Sequence, residues 1–279
     1  MQDAFAHCAE IVRTADRDRY IATLFAPAEH RDALFALYAF NAEIARVRDV
    51  AREPMPGEIR LQWWREVIGG ERSGEAAANP VAAALLATIG RCNLAVELLS
   101  TLVEAHRFDL YDEPMATLSD LEVYGRETSS AVIALAAQVL AGTSLDAVTQ
   151  PAGIAHALAN VLHAFPIHAR RGQLFVPIEM LSRHGVSPQD IFAGRSPAGL
   201  KEVFAELRNV ARQHLAEVRQ SLTAIPTEAL AAFLPVALVG PSLRRLEQGD
   251  VFSPSGIAPW RRQWLIWRAA RNTTRIATW

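Results

Sequence analysis

Apolar residues recur along this chain at steps of three and four, with almost no period-two alternation, and alanine and leucine dominate among them. Residues three and four apart share a helix face, whereas a half-buried strand needs alternation, so the pattern predicts an all-α chain. The spacing predicts a first helix over about 2–14, and Pro27 precedes a long second pattern over 28–50. Leu34, Leu37, Tyr38, Asn41, Ala45 and Arg48 or Asp49 share one face of it. Pro54, Pro56 and Gly57 close that pattern, 58–68 reads as the next helix, and Gly69, Gly70, Ser73 and Gly74 read as a loop. Asn79 before Pro80 is a capped helix start, and 93–110 carries a further helix. Ser119 and Glu122 have capping-box spacing, which predicts a helix from there to about 141. Another helix is expected over 153–168, kinked or ended by Pro166, which lacks an amide hydrogen. After an extended stretch at 172–176 come a short helix beyond Pro177, a capped turn at 187–190, an amphipathic helix over 200–224 and two or three closing helices. With no linker and no repeat, one helical domain over 1–279 is the economical reading.

Composition narrows the function classes. Lys and Arg total 28 against 30 Asp and Glu, a formal charge of -2, so no global field marks a nucleic-acid binder. Lys201 is the single lysine, so the basic groups are almost all planar guanidinium forks. Cys8 and Cys92 lie far apart and read as small buried hydrophobes of a reducing compartment. Asp3 and Glu10 interrupt the N-terminus, unlike a signal peptide or a mitochondrial presequence. The longest apolar run, 230–239, is too short to span a bilayer and contains Pro235, so a soluble or peripheral protein is expected. Hydrolase, dinucleotide-binding and P-loop signatures are missing.

Several segments, in order, resemble one family. Residues 19–40 (RYIATLFAPAEHRDALFALYAF), LQWWREV at 61–67, FDLYDEP at 108–114, LEVYG at 121–125 and ALANVL followed by RRGQLFVP at 170–177 are similar to squalene and phytoene synthases. The resemblance implies an isoprenoid-synthase-like helical bundle around a central cavity. It also implies two facing aspartate-rich motifs that hold magnesium on the substrate diphosphates, since magnesium takes an octahedron of hard oxygens. The first motif falls here on Ala45, Arg46 and Asp49, and the second on His163, Ala164, Ile167 and His168 after Asn160. Of six expected carboxylates only Asp49 remains, with Glu43 as a neighbour. At about 5 Å and an effective dielectric of about 20, a divalent ion and an arginine repel by roughly 6 to 7 kcal/mol before screening. Arg46 therefore opposes a metal cluster as well as failing to ligate one.

The departures resemble those of a branch of this superfamily, the assembly factors of respiratory complex I. Kinship with that branch implies a catalytically inactive chain, without cofactor, whose partner is a complex I subunit or assembly intermediate. The retained cavity would take an isoprenoid or lipid ligand. The expected location is the cytoplasm, peripheral on the inner membrane, or the matrix side for a processed eukaryotic chain. The alternatives are a head-to-head prenyltransferase that uses magnesium, and an isoprenoid carrier.

Arg46, Arg48, Arg170 and Arg171 are candidate anion binders, because guanidinium forks match phosphate oxygens. Tyr38, Tyr124, Asn160 and His163 are candidate cavity residues beside them, and Trp63 and Trp64 fall at cavity-facing positions in the family. His156, His163 and His168 lack a zinc-site spacing and read as structural histidines. Over 260–279, Trp260, Trp264 and Trp267 recur at i, i+4 and i+7 among five arginines and no acid. That segment suits either an interfacial membrane contact or a closing helix with buried tryptophans.

Overall fold

A computed structural model of the chain describes residues 1–51 and 53–278. Seventeen α-helices occur among them: α1 Gln2–Ala15, α2 Arg17–Thr23, α3 Ala28–Ala45, α4 Val47–Val50, α5 Pro54–Ile68, α6 Ser73–Ala78, α7 Pro80–Cys92, α8 Val96–Ala105 and α9 Leu118–Gly125. There follow α10 Ala131–Ala141, α11 Asp146–Arg170, α12 Ile178–Arg183, α13 Pro188–Phe192, α14 Ala198–Gln220, α15 Leu230–Phe233, α16 Val239–Gln248 and α17 Pro259–Arg271. Among the described residues there is no strand, only one antiparallel bridge between Asp250 and Ser253. The result is an all-helical, single-domain bundle. In it α11 packs along α14, α1 packs along α3, and α7 lies against both α1 and α3.

Local chemistry sets most boundaries. Asn79 Oδ1 accepts from the Val81 and Ala82 amides and starts α7, as expected. Asn93, in the left-handed region, ends α7, so the helix expected over 93–110 is reduced to α8 and a 3-10 turn at Phe108–Leu110. The capping box sits two residues before the expected one. Thr117 Oγ1 accepts from the Asp120 amide, and Asp120 Oδ2 accepts from the Thr117 amide. The loop expected over 69–74 shortens, because α6 begins at Ser73. The 28–50 pattern breaks at Arg46 into α3 and α4.

Helix α11 begins seven residues before the expected start and runs through Pro151 and Pro166 to Arg170. A proline inside a helix costs about 3 kcal/mol. Around Pro166 burial offsets much of that cost: Phe165 packs on Phe204 of α14 at 5.0 Å between ring centroids and on Phe252 at 5.3 Å, and burying one such aromatic is worth about 2 to 3 kcal/mol. The crossing of α11 with the preceding segment is close. Gly153 meets Ser130 backbone to backbone, and Ser130 Oγ donates to the Gln150 carbonyl at 2.8 Å. Residues Arg126–Ser130 form a π-helical turn there, between α9 and α10.

The stretch Thr227–Gln248 is 22 residues long and helical throughout in several pieces, which corrects the reading that its apolar run is too short to cross a bilayer. Flanking turns extend the run, but 78% of its most apolar window is buried inside the bundle. Its apolarity therefore serves the core of this fold.

Candidate functional site

Helices α3, α4 and α11, the 106–109 turn and the π turn enclose a cavity of about 360 Å³. On α11 its lining runs through His156, Ala157, Asn160, Val161, Ala164, His168 and Arg171, steps of one, three and four that make one stripe of the helix. Opposite stand Asn41, Ala42, Ala45, Arg46, Arg48 and Asp49. The π turn adds Thr128 and Ser129, and Asp16 and Arg19, at the start of α2, also line the cavity.

The charges in this cavity are mostly taken up by one another. Asp49 Oδ1 lies 2.6 Å from the Arg171 guanidinium, and Asp49 Oδ2 lies 4.0 Å from Arg46 Nε. Arg48 donates to the Leu110 carbonyl at 2.6 Å and to Asp112 at 2.8 Å. Arg19 pairs with Asp16 at 3.1 Å. The lining thus holds Arg19, Arg46, Arg48 and Arg171 against Asp16, Asp49 and Asp109.

The cavity floor is a hydrogen-bonded network. Tyr124 Oη donates to Asp109 Oδ1 at 2.8 Å, and His106 Nδ1 lies 2.7 Å from Asp109 Oδ2. Gln173 donates to the Asp109 carbonyl at 2.8 Å. His106, Asp109 and Gln173 are buried, and His106 Nε2 is buried without a hydrogen-bond partner. Burial, reinforced by the Asp109 charge, pushes the Tyr124 phenol well above its ordinary range, so it remains a donor. Phe175 closes the floor, 5.5 Å from the Tyr124 ring and 4.5 Å from the His168 ring.

The sequence profile of the squalene/phytoene synthase family matches residues 12–268. The chain belongs to this family. It is 30% identical over 253 residues to "NADH dehydrogenase (ubiquinone) complex I, assembly factor 6" of Bos taurus, covering 89% of this chain and 76% of that one. It is also 25% identical over 281 residues to a phytoene synthase of Rhodobacter capsulatus, covering 96% of this chain and 81% of the other. Among solved structures, a dehydrosqualene synthase in complex with a ligand superposes with a TM-score of 0.81 at 18% identity, covering 98% and 97% of the two chains. At that identity the likeness shows the shared isoprenoid-synthase-like fold.

Magnesium, which the family's aspartate motifs bind, does not fit the residues present. Ala45 and Arg46 on one wall and Ala164 and His168 on the other carry no carboxylate, and Asp49 is held by Arg171. Among the described residues no group of three or more His, Cys, Asp or Glu is placed to hold a metal ion.

The structure separates the residues singled out from the sequence. Ala45, Arg46, Arg48, Asp49, Tyr124, Asn160, Ala164, His168 and Arg171 line the cavity. Ile167 is 43% exposed and His163 lies against Gly256, both outside it. His163 is displaced by about 100° from the centre of the cavity stripe of α11 and Arg170 by about 120°. Arg170 is exposed outside the lining, and Arg19 is a cavity arginine that the sequence reading missed. Tyr38 is buried behind the cavity, with the Arg19 guanidinium 5.4 Å from its ring. Trp64 is core, packed on Phe40 at 4.9 Å, and Trp63 donates to Glu75 on another face. Glu43 pairs with Arg60 at 2.8 Å instead of neighbouring Asp49. Asp109 was visible within FDLYDEP, but nothing local announced that His106 and Tyr124 share it.

His156 and His168 line the cavity as neutral rings. Burial, with Arg19 nearby, pushes His156 down from 6.5 to about 4, and burial, outweighing the opposing pull of the Asp109 charge, does the same to His168. The unfolded chain therefore binds protons below about pH 6.5 that the folded chain does not, so stability is full above that pH and falls as pH drops towards 4. Each ring contributes a slope of at most about 1.4 kcal/mol per pH unit. The denaturant midpoint of a His156→Gln/His168→Gln variant should fall less between pH 6.5 and 5 than that of the parent, a window above most carboxylate titration.

Proposed function

We propose that this chain is a synthase-fold assembly factor for respiratory complex I, without metal-dependent prenyl transfer, and that its cavity holds an isoprenoid or other lipid. One observation carries this reading: the two helices that would face carboxylates across the cavity present Ala45, Arg46, Ala164 and His168, and Arg171 takes the remaining Asp49. Ionising an allylic diphosphate needs a metal or concentrated positive charge at the leaving group. Here the arginines are already partnered by Asp16, Asp49 and Asp112. The similarity to complex I assembly factor 6 across most of the chain supports the same reading. A location in the cytoplasm or matrix, at the face of the membrane that carries complex I, accompanies it.

The second reading is an active head-to-head prenyltransferase using magnesium, favoured by the similarity to phytoene synthase over 96% of the chain. Two measurements separate them. Deleting the gene should deplete assembled complex I on native gels of membranes, with recovery on complementation, and normal assembly would overturn the proposal. Purified protein given labelled farnesyl or geranylgeranyl diphosphate with magnesium should release no condensed product, and turnover would establish the alternative.

A further inference from the structure

Helix α17 closes the bundle with only one of its faces. Ile266 and Ala269 are buried and the Arg262 guanidinium is bound to Asp18, which ties the helix to α2. At about 100° per residue these three lie together, and Trp260, Trp264 and Trp267 lie within about 60° of one another on the opposite side. Those tryptophans are 70%, 44% and 46% exposed, which rules out the expected alternative that they are buried in the core. A closing helix needs one apolar stripe, so a second stripe of three aromatic rings facing water is not required by the fold.

Charge says what covers that stripe. Arg268 stacks over the Trp264 ring at 4.4 Å and Arg271 over the Trp267 ring at 5.2 Å, which sets a guanidinium beside each of these two rings. Arg261, on the same helix, and Arg275, in the turn after it, are also exposed. Residues 251–278 contain five arginines and no acid, on a chain whose net charge is -2. Leu24 and Phe25, just after α2, are also exposed, at 45% and 42%. Tryptophan with arginine is the pairing that suits a bilayer interface, with the rings at headgroup depth and the guanidinium groups on phosphate.

We propose that the exposed face of α17, formed by Trp260, Trp264 and Trp267 with Arg261, Arg268 and Arg271, seats the protein on an anionic lipid bilayer. The opposite face of α17 is tied through Arg262 and Asp18 to α2, whose first turn contributes Arg19 to the cavity lining. The contact needs no complex I, and its test is independent of the assembly role.

The full chain is mixed with vesicles of phosphatidylcholine alone or with phosphatidylglycerol, and partitioning is read by sedimentation. Binding is expected to the anionic vesicles, to weaken as salt rises, and to drop about fivefold for each arginine neutralised, as in Arg271→Gln. Trp260→Ala/Trp264→Ala/Trp267→Ala should bind at least about tenfold more weakly while keeping the parent's thermal melt, because these rings are exposed. Should that variant misfold, quenching of the parent's tryptophan fluorescence by brominated lipid reads the same contact. A parent chain that stays in the supernatant with anionic vesicles, or a well-folded triple variant that binds equally, overturns the proposal.

Discussion

Replacing Gly153 by alanine should destabilise the protein by about 3 kcal/mol or more, enough to lower its urea midpoint substantially or to prevent folding. A Cβ at Gly153 would lie 2.2 Å from the Ser130 Cα, N and Oγ. Two of those atoms are backbone, so no rotamer change relieves the clash and α11 must move off the π turn. That movement would also disturb the Ser130 Oγ bond to Gln150 and the placement of Thr128 and Ser129 on the cavity wall. Gly57→Ala is the control. Its Cβ would approach Leu110 Cδ2 at 2.3 Å, but that atom ends a flexible side chain, so about 1 kcal/mol is expected. Equal losses for the two variants would refute the backbone explanation.

Asp109→Ala has the second largest expected effect, about 2 to 4 kcal/mol by chemical denaturation. The carboxylate partners two groups at once, the Tyr124 hydroxyl and His106 Nδ1, in a floor that water barely reaches. Removing it leaves both unpaired, and an unsatisfied buried polar group costs about 1 to 3 kcal/mol. Asp109→Asn should recover much of the loss. Its carbonyl can accept from Tyr124 while its amide donates to a bare His106 Nδ1, which moves the imidazole proton to the unpartnered Nε2. Tyr124→Phe removes one donor and should cost about 1 kcal/mol. If Asp109→Asn were as damaging as Asp109→Ala, the network would depend on charge and not on hydrogen-bond count.

The two variants mark different depths of legibility. The FDLYDEP and LEVYG segments could be read directly, yet the contact between Asp109 and Tyr124 spans 15 residues and two elements. Helical period separates Ala164 and His168 from His163, but it puts Ile167 between His156 and Asn160, so only the structure shows that Ile167 lies outside the lining. Period could not say that α11 survives Pro166, since that depends on Phe204 and Phe252, contributed by distant segments. The capping box at Thr117 was missed in favour of Ser119, because two similar spacings overlap and only the observed bonds distinguish them.

What the sequence determined by itself is local and compositional: helices from the three- and four-residue period, family from ordered segments, and missing carboxylates from residue identity at 45, 46, 164 and 168. Tertiary structure decided which charges are already matched and which faces are covered. Asp49 and Arg171 are 122 positions apart, and Asp18 and Arg262 are 244 apart, so neither pair can be inferred from neighbouring residues. The same holds for α17. Its sequence shows a helix rich in tryptophan and arginine, but packing on α2 selected Ile266 and Ala269 for the core and left Trp260, Trp264 and Trp267 outside. Burial depends on the surroundings of a residue as much as on its own chemistry, and those surroundings come from the whole chain.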